Sequence, residues 1–158
     1  MKKWMVLALA AAMGVFALAG CGAAGKETKA YSTDLVSAMV EAGAFSETLE
    51  ELDGDTAFAL YKLGDYGLTR EDLTDCAVQR SAGATCEEGA VLVLSDEDKA
   101  GKALEALKAY VDGQISTNES YRPGEIPKLE AALVEQQGAS VLLVVANDLD
   151  AAKGVIEG

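Results

Sequence analysis

Two pairs of aspartates are the first candidates for chemistry. Asp96 with Asp98, and Asp148 with Asp150, each follow an apolar run and stand two residues apart. Two carboxylates so placed at a strand end could hold a divalent cation through oxygen ligands. The same residues have a plainer use: Ser95 and Asn147 cap helices, and acids in the first turn favour the positive helix end. That use explains both pairs without a ligand, so no metal is expected. Asp53-Gly54-Asp55 lacks the remaining positions of a calcium loop and reads as a turn. With no histidine in the chain, a serine or cysteine centre activated by histidine is excluded, and a zinc site has almost no ligands. A serine–lysine or acid–acid pair is singled out by no spacing, and the glycines form no phosphate-binding loop. No catalytic residue and no cofactor are therefore expected.

Two further groups stand out. Cys76 and Cys86 could form one disulfide outside the cell, or remain two buried or partly buried thiols. They flank a turn near Gly83, and a symmetric hairpin there would not set them opposite each other. The segment Tyr121-Arg122-Pro123-Gly124-Glu125-Ile126-Pro127 displays Tyr121, Arg122 and Ile126 on a proline-stiffened loop. Tyrosine and arginine are frequent interface anchors, which makes this a candidate interaction surface for a protein partner. The alternative is that Tyr121 and Ile126 close the loop over the sheet.

These residues sit on elements that the periodicity outlines. Thr33 is placed to cap a helix presenting Leu35, Val36, Met39 and Val40, with Gly43 at its end. A second short helix carries Phe58, Leu60 and Tyr61 toward the core, and Thr69 to Asp72 reads as a capped turn. Strands are expected at 75–81 and 90–94, then a helix with Ala100, Ala103, Leu104, Leu107 and Val111 as its stripe. Residues 116–127 read as loop, 129–135 and 140–146 as a second strand pair, and a last helix starts near Asp148. Val93 to Ala100 matches Val145 to Ala152 as V-x-[SN]-D-x-D-x-A at an offset of 52 residues. The expected fold is thus α+β: a four-stranded antiparallel sheet from two strand–strand–helix units, helices mainly on one face, preceded by two short helices.

The start of the chain is different in kind. Lys2 and Lys3 precede seventeen uncharged residues, Trp4 to Gly20. That run is at the short limit for a membrane span and has the form of a secretory signal. It ends Leu18-Ala19-Gly20-Cys21, a lipobox in which small residues fit the signal peptidase and the Cys21 thiol accepts a diacylglyceryl group. The expected organisation is a lipoprotein signal peptide at 1–20, a lipidated Cys21 with a flexible tether through 31, and one domain at 32–158. Loss of Lys2 and Lys3 takes the net charge from −13 to −15. A polyanion of that size repels phosphate backbones, so nucleic acid is an unsuitable partner. The only tryptophan, Trp4, leaves with the signal, which argues against a sugar platform built on large rings.

The lipobox, the acidic helix start after an apolar strand, Tyr121, Pro127-Lys128-Leu129-Glu130-Ala131, the turn glycine Gly138 and the strand Val141 to Ala146 together resemble a known family. It is the Firmicutes lipoprotein family catalogued as domain of unknown function 4358, and the resemblance covers roughly residues 33–157. Ala131 stands where a K-L-E-N pattern would carry asparagine, and Cys76 and Cys86 are unlike the usual members. The resemblance implies a surface lipoprotein of Gram-positive anaerobes and supplies no activity or active-site residues. The expected role is a non-catalytic binding or interaction domain, held by lipid (palmitate-type acyl chains) at the extracytoplasmic face of the cell membrane. The alternative is a carboxylate-dependent hydrolase acting on cell-wall material.

Overall fold

The computed structural model describes residues 29–158; the segment expected to be a signal peptide, Cys21 and most of the expected tether lie outside the described residues. Tyr31, assigned from sequence to the tether, belongs to the fold. It is 5% exposed, its backbone N–H donates to Ser140 Oγ at 2.7 Å, and its hydroxyl donates to Glu135 at 3.1 Å.

The chain runs α1 (Asp34–Glu41), β1 (Glu50–Leu52), α2 (Gly54–Leu60), 3-10 turns at Leu63–Tyr66 and Arg70–Asp72, β2 (Leu73–Arg80) and β3 (Glu88–Leu94). It continues through α3 (Glu97–Tyr121), a 3-10 turn at Pro123–Glu125, α4 (Ile126–Glu130), β4 (Leu133–Gln137), β5 (Ser140–Val145) and α5 (Leu149–Glu157). The strands form one antiparallel sheet in the order β1-β2-β3-β5-β4. Strand β5 is buried along its whole length, and β3 nearly so, as the continuous apolar runs require of central strands. The β4–β5 turn is Gly138-Ala139, with Gly138 at φ +53 in the first turn position, where glycine suits a type II′ hairpin.

The sheet has five strands, not four. The fifth, β1, is only Glu-Glu-Leu, pairing Glu50 with Arg80 and Leu52 with Val78. Three residues carry no readable alternation, so this strand exists because β2 offers it an edge.

The helices also do not share one face. Ala57 of α2 and Ala103 and Leu107 of α3 pack with Ala90, Leu92, Val141 and Leu143 of the sheet. Val36 and Met39 of α1 and Ala152 of α5 pack with Val91, Leu142 and Val144 on the other side. The register explains why the repeated units diverge. Val93 and Val145 are equivalent in the repeat, but Val145 pairs with Glu88, five residues from Val93. Residues an odd number apart on a strand point to opposite faces. Val93 accordingly packs in one core and Val145 in the other, and α3 and α5 leave their strands toward opposite faces. The result is a sheet sandwiched between two helical layers. On the α1 side the contact is so close that a Cβ at Gly89 would lie 3.0 Å from Phe45 Cζ.

Helix starts use the acids themselves. Asp53, Asp96 and Asp148 accept from the backbone N–H of Thr56, Lys99 and Ala151 at 2.8, 2.8 and 2.9 Å. The caps thus sit one residue later than the expected Ser95 and Asn147, and each is worth on the order of 1 kcal/mol. Thr33 makes no side-chain cap bond. Residues 116–127 are not a loop: α3 runs to Tyr121, where the residue before Pro123 is forced out of helical geometry (Arg122, φ −145, ψ 66). Pro123 and Pro127 then fall at helix starts, where a missing N–H costs nothing.

Candidate functional site

The site begins where α2 ends. Lys62 adopts the left-handed conformation at φ 52, alone among the described non-glycine residues, and swings the chain from α2 into the 3-10 turn. That turn stands off α3 and leaves a groove of about 610 Å³ between them, within the usual range of small-molecule sites. Ala106, Ala109 and Gly113 of α3 line it with small side chains or bare backbone, and Tyr66 and Tyr110 add aromatic rings to the lining. Lys62, Asp65, Gln114 and Thr117 supply polar groups around them. Positions 106, 109, 110, 113 and 117 share one helix face by their three- and four-residue spacing.

Behind this lining lies a buried acid. Glu88, 3% exposed at the start of β3, accepts hydrogen bonds from the hydroxyls of Tyr61 and of Tyr110, the latter at 2.8 Å. The two rings meet edge to face, with centroids 5.0 Å apart at 84°, an arrangement favoured by the ring quadrupoles. Arg80 Nε is 3.9 Å from Glu88 and, though buried, donates no hydrogen bond among the described residues. Burial pushes the Glu88 carboxyl above its ordinary range, against the opposing pull of the Tyr61 hydroxyl, Arg80 and the Tyr110 hydroxyl. Burial likewise raises both phenols, and the Glu88 charge raises them further.

A folded state that holds the Glu88 proton more tightly than the unfolded chain gains stability below the ordinary carboxylate value of 4.5 and loses it as pH rises through the raised one. Urea unfolding of the native chain and of Glu88→Gln between pH 4 and pH 8 should show the substitution becoming relatively more favourable as pH increases. A constant difference across that range would mean that Glu88 titrates as an ordinary carboxylate. Asp72 works in the opposite sense. Hydrogen bonding from the Thr69 backbone and from Lys99 holds it at about 2, so its contribution is present above 3.8 and fades toward about pH 2.

As chemistry, the site has one carboxylate lining the groove, Asp65, while Glu88 is screened from it by phenol rings. Hydrolysis of a glycoside by two acids requires both to flank the bond, about 5–9 Å apart in the open site. The groove is lined by aromatic rings and by hydrogen-bonding groups of both kinds.

The residues singled out from sequence are dispersed. Tyr121 is 82% exposed at the end of α3. Arg122 turns inward and donates to the Thr85 carbonyl at 3.0 Å, while Ile126 packs against the core. The three therefore form no single displayed loop. Cys76 and Cys86 are free thiols. Cys76 pairs with Leu92, whereas Cys86 lies beyond the last pair, Arg80 with Glu88. Its level is six residues further along the strand direction, roughly 20 Å at about 3.3 Å per residue, too far for the roughly 7 Å limit of a bridge. Tyr61, Tyr66, Tyr110 and Glu88 carried no signal as a group. Only Tyr110, one residue off the stripe of α3, could have suggested a flank left open.

Fold and groove together define the protein as a two-faced α+β domain with an antiparallel sheet and a lateral, ring-lined cleft. A family model described as "Domain of unknown function (DUF4358)" matches residues 48–146, and the chain belongs to that family. The match takes in β1 to β5, hence the groove and Glu88. No curated protein and no solved structure matches the chain.

Proposed function

We propose that this chain is a membrane-anchored, extracytoplasmic lipoprotein whose domain binds, without catalysis, a ligand in the groove between α3 and the Leu63–Tyr66 turn. The groove carries the reading: an open cleft of about 610 Å³ lined by tyrosines, polar groups and a single carboxylate. The anchoring half rests on the lipobox ending at Cys21 and the basic, apolar segment before it. A single acyl chain holds a protein only marginally, and the diacylglyceryl group adds the second chain that stable attachment needs.

The two halves are tested on intact cells. Metabolic labelling with a radioactive fatty acid should mark the native chain and leave Cys21→Ser unlabelled; label on the variant would refute anchoring at that cysteine. A photoactivatable side chain placed at Gln114 should give a discrete cross-linked adduct, and the same group at Lys153 on α5 should not. Equal adducts at both positions would remove the groove as the binding site. Release of soluble fragments from purified cell wall by the domain would replace the binding reading with that of a hydrolase. Tyr121, 82% exposed, supports a second reading in which a protein partner docks at the end of α3.

A further inference from the structure

Resting on the groove as the binding site, we propose that its ligand is a neutral oligosaccharide, stacked by its apolar sugar faces on Tyr66 and Tyr110 and hydrogen-bonded through its hydroxyls to Asp65, Gln114 and Thr117.

Charge is the first argument. Lys62 and Asp65 are the only charged groups among the lining residues, one of each sign. No arginine faces the groove to fork onto a phosphate or carboxylate, and the chain as a whole carries −13. An anion therefore meets one lysine against a negative background, while for an organic cation the attraction of Asp65 and of that background opposes the repulsion of Lys62. A neutral ligand avoids the first penalty, and the uncharged polar groups of the groove favour it over the second.

The polar groups point the same way. Asp65 accepts, Lys62 donates, and the Gln114 amide and Thr117 hydroxyl do both. A ligand that bears many hydroxyls, each donor and acceptor, satisfies such a mixed set, whereas a purely apolar ligand would leave it unpaired. The rings need an apolar face to stack on, and a pyranose has one beneath its hydroxyls. Tyrosine here takes the part that the missing tryptophan would play.

The α3 side of the groove supplies the third argument. Gly113 lies within the 25-residue helix α3, where glycine weakens a helix. A Cβ there would meet nothing within 4 Å, so packing does not call for glycine; what its bare backbone does is leave room in the groove. From Ala106 to Thr117 the α3 lining runs roughly 16 Å at about 1.5 Å per residue, longer than a single sugar ring, which points to an oligomer.

Calorimetric titration of the full, lipidated chain in detergent tests this with chitotriose, cellotriose and maltotriose, against trigalacturonate as an anion and spermidine as a cation. At least one neutral trisaccharide should bind, more tightly than either charged compound. Tyr66→Ala should weaken it by about tenfold, the order expected for losing one aromatic contact. Gly113→Leu, which fills the groove beside α3 while improving helix propensity, should abolish it with the circular dichroism spectrum and unfolding midpoint retained. If no neutral trisaccharide binds, or if binding survives both substitutions unchanged, the saccharide proposal is overturned. If instead spermidine or trigalacturonate binds and is lost in Gly113→Leu, the ligand class is wrong and the groove stands as the site. If Gly113→Leu changes the binding of no compound, the groove itself fails.

Discussion

Replacing Lys128 with methionine is expected to destabilise the domain by about 3–5 kcal/mol, the range seen when one partner of a buried ion pair is removed. Glu87 has no exposed side-chain surface, and its carboxylate accepts from Lys128 Nζ at 2.7 Å and from the Ser46 backbone and hydroxyl at 2.7 and 2.6 Å. Lys128 also donates to Glu125 at 3.2 Å, and Glu125 in turn accepts from the Cys86 backbone at 2.9 Å. One ammonium thus ties α4, the loop after α1 and the β2–β3 hairpin together. Methionine keeps the bulk of the lysine stem and removes the charge, leaving Glu87 buried with no cation within 4 Å among the described residues. Guanidinium unfolding of Lys128→Met reads the loss directly. The double substitution Lys128→Met with Glu87→Gln should recover a large part of it, because the penalty lies in the uncompensated carboxylate. A loss below about 1 kcal/mol for Lys128→Met would place the pair among ordinary surface ion pairs.

Leu92→Ala and Leu142→Ala should each cost about 2–5 kcal/mol, the range for emptying a fully buried leucine site. Both side chains are completely buried, but they belong to different cores: Leu92 faces α2 and α3, and Leu142 faces α1 and α5. A sheet covered on one face only would make one of these substitutions nearly neutral. Comparable losses by chemical unfolding, additive in the double variant because the two sites lie on opposite sides of the sheet, are the signature of two helical layers. An effect under about 0.5 kcal/mol at Leu142 would mean that α1 and α5 do not seal that face.

Local features of the fold were legible because they depend on neighbours in the chain. The apolar runs 90–94 and 141–145 marked the two central strands, the stripe Ala100 to Val111 marked α3, and the acids after each strand marked helix starts. Even the capping error was small, Asp96 and Asp148 taking the role expected of the residues just before them. Where the reading went astray, the deciding partner was distant in sequence. Strand β1 is defined by β2. The face on which α5 lies depends on the pairing of Glu88 with Val145, since a one-residue change in register would reverse it.

The candidate site shows the same division. Its residues come from α2, the Leu63–Tyr66 turn, β3 and α3, and no spacing along the chain relates Tyr66 to Tyr110 or either to Glu88. From the sequence alone came the absence of histidine, the acidic balance, the two strand–strand–helix units and the resemblance to a family that the match over residues 48–146 then established. Those properties reside in composition and in short-range pattern, which survive without knowledge of what folds against what. Tertiary structure alone decided the second helical layer, the separation of Cys76 from Cys86, the burial of Glu87 and Glu88, and the groove. Each of these is a distance between segments far apart in sequence, and such distances are set by strand register and side-chain packing.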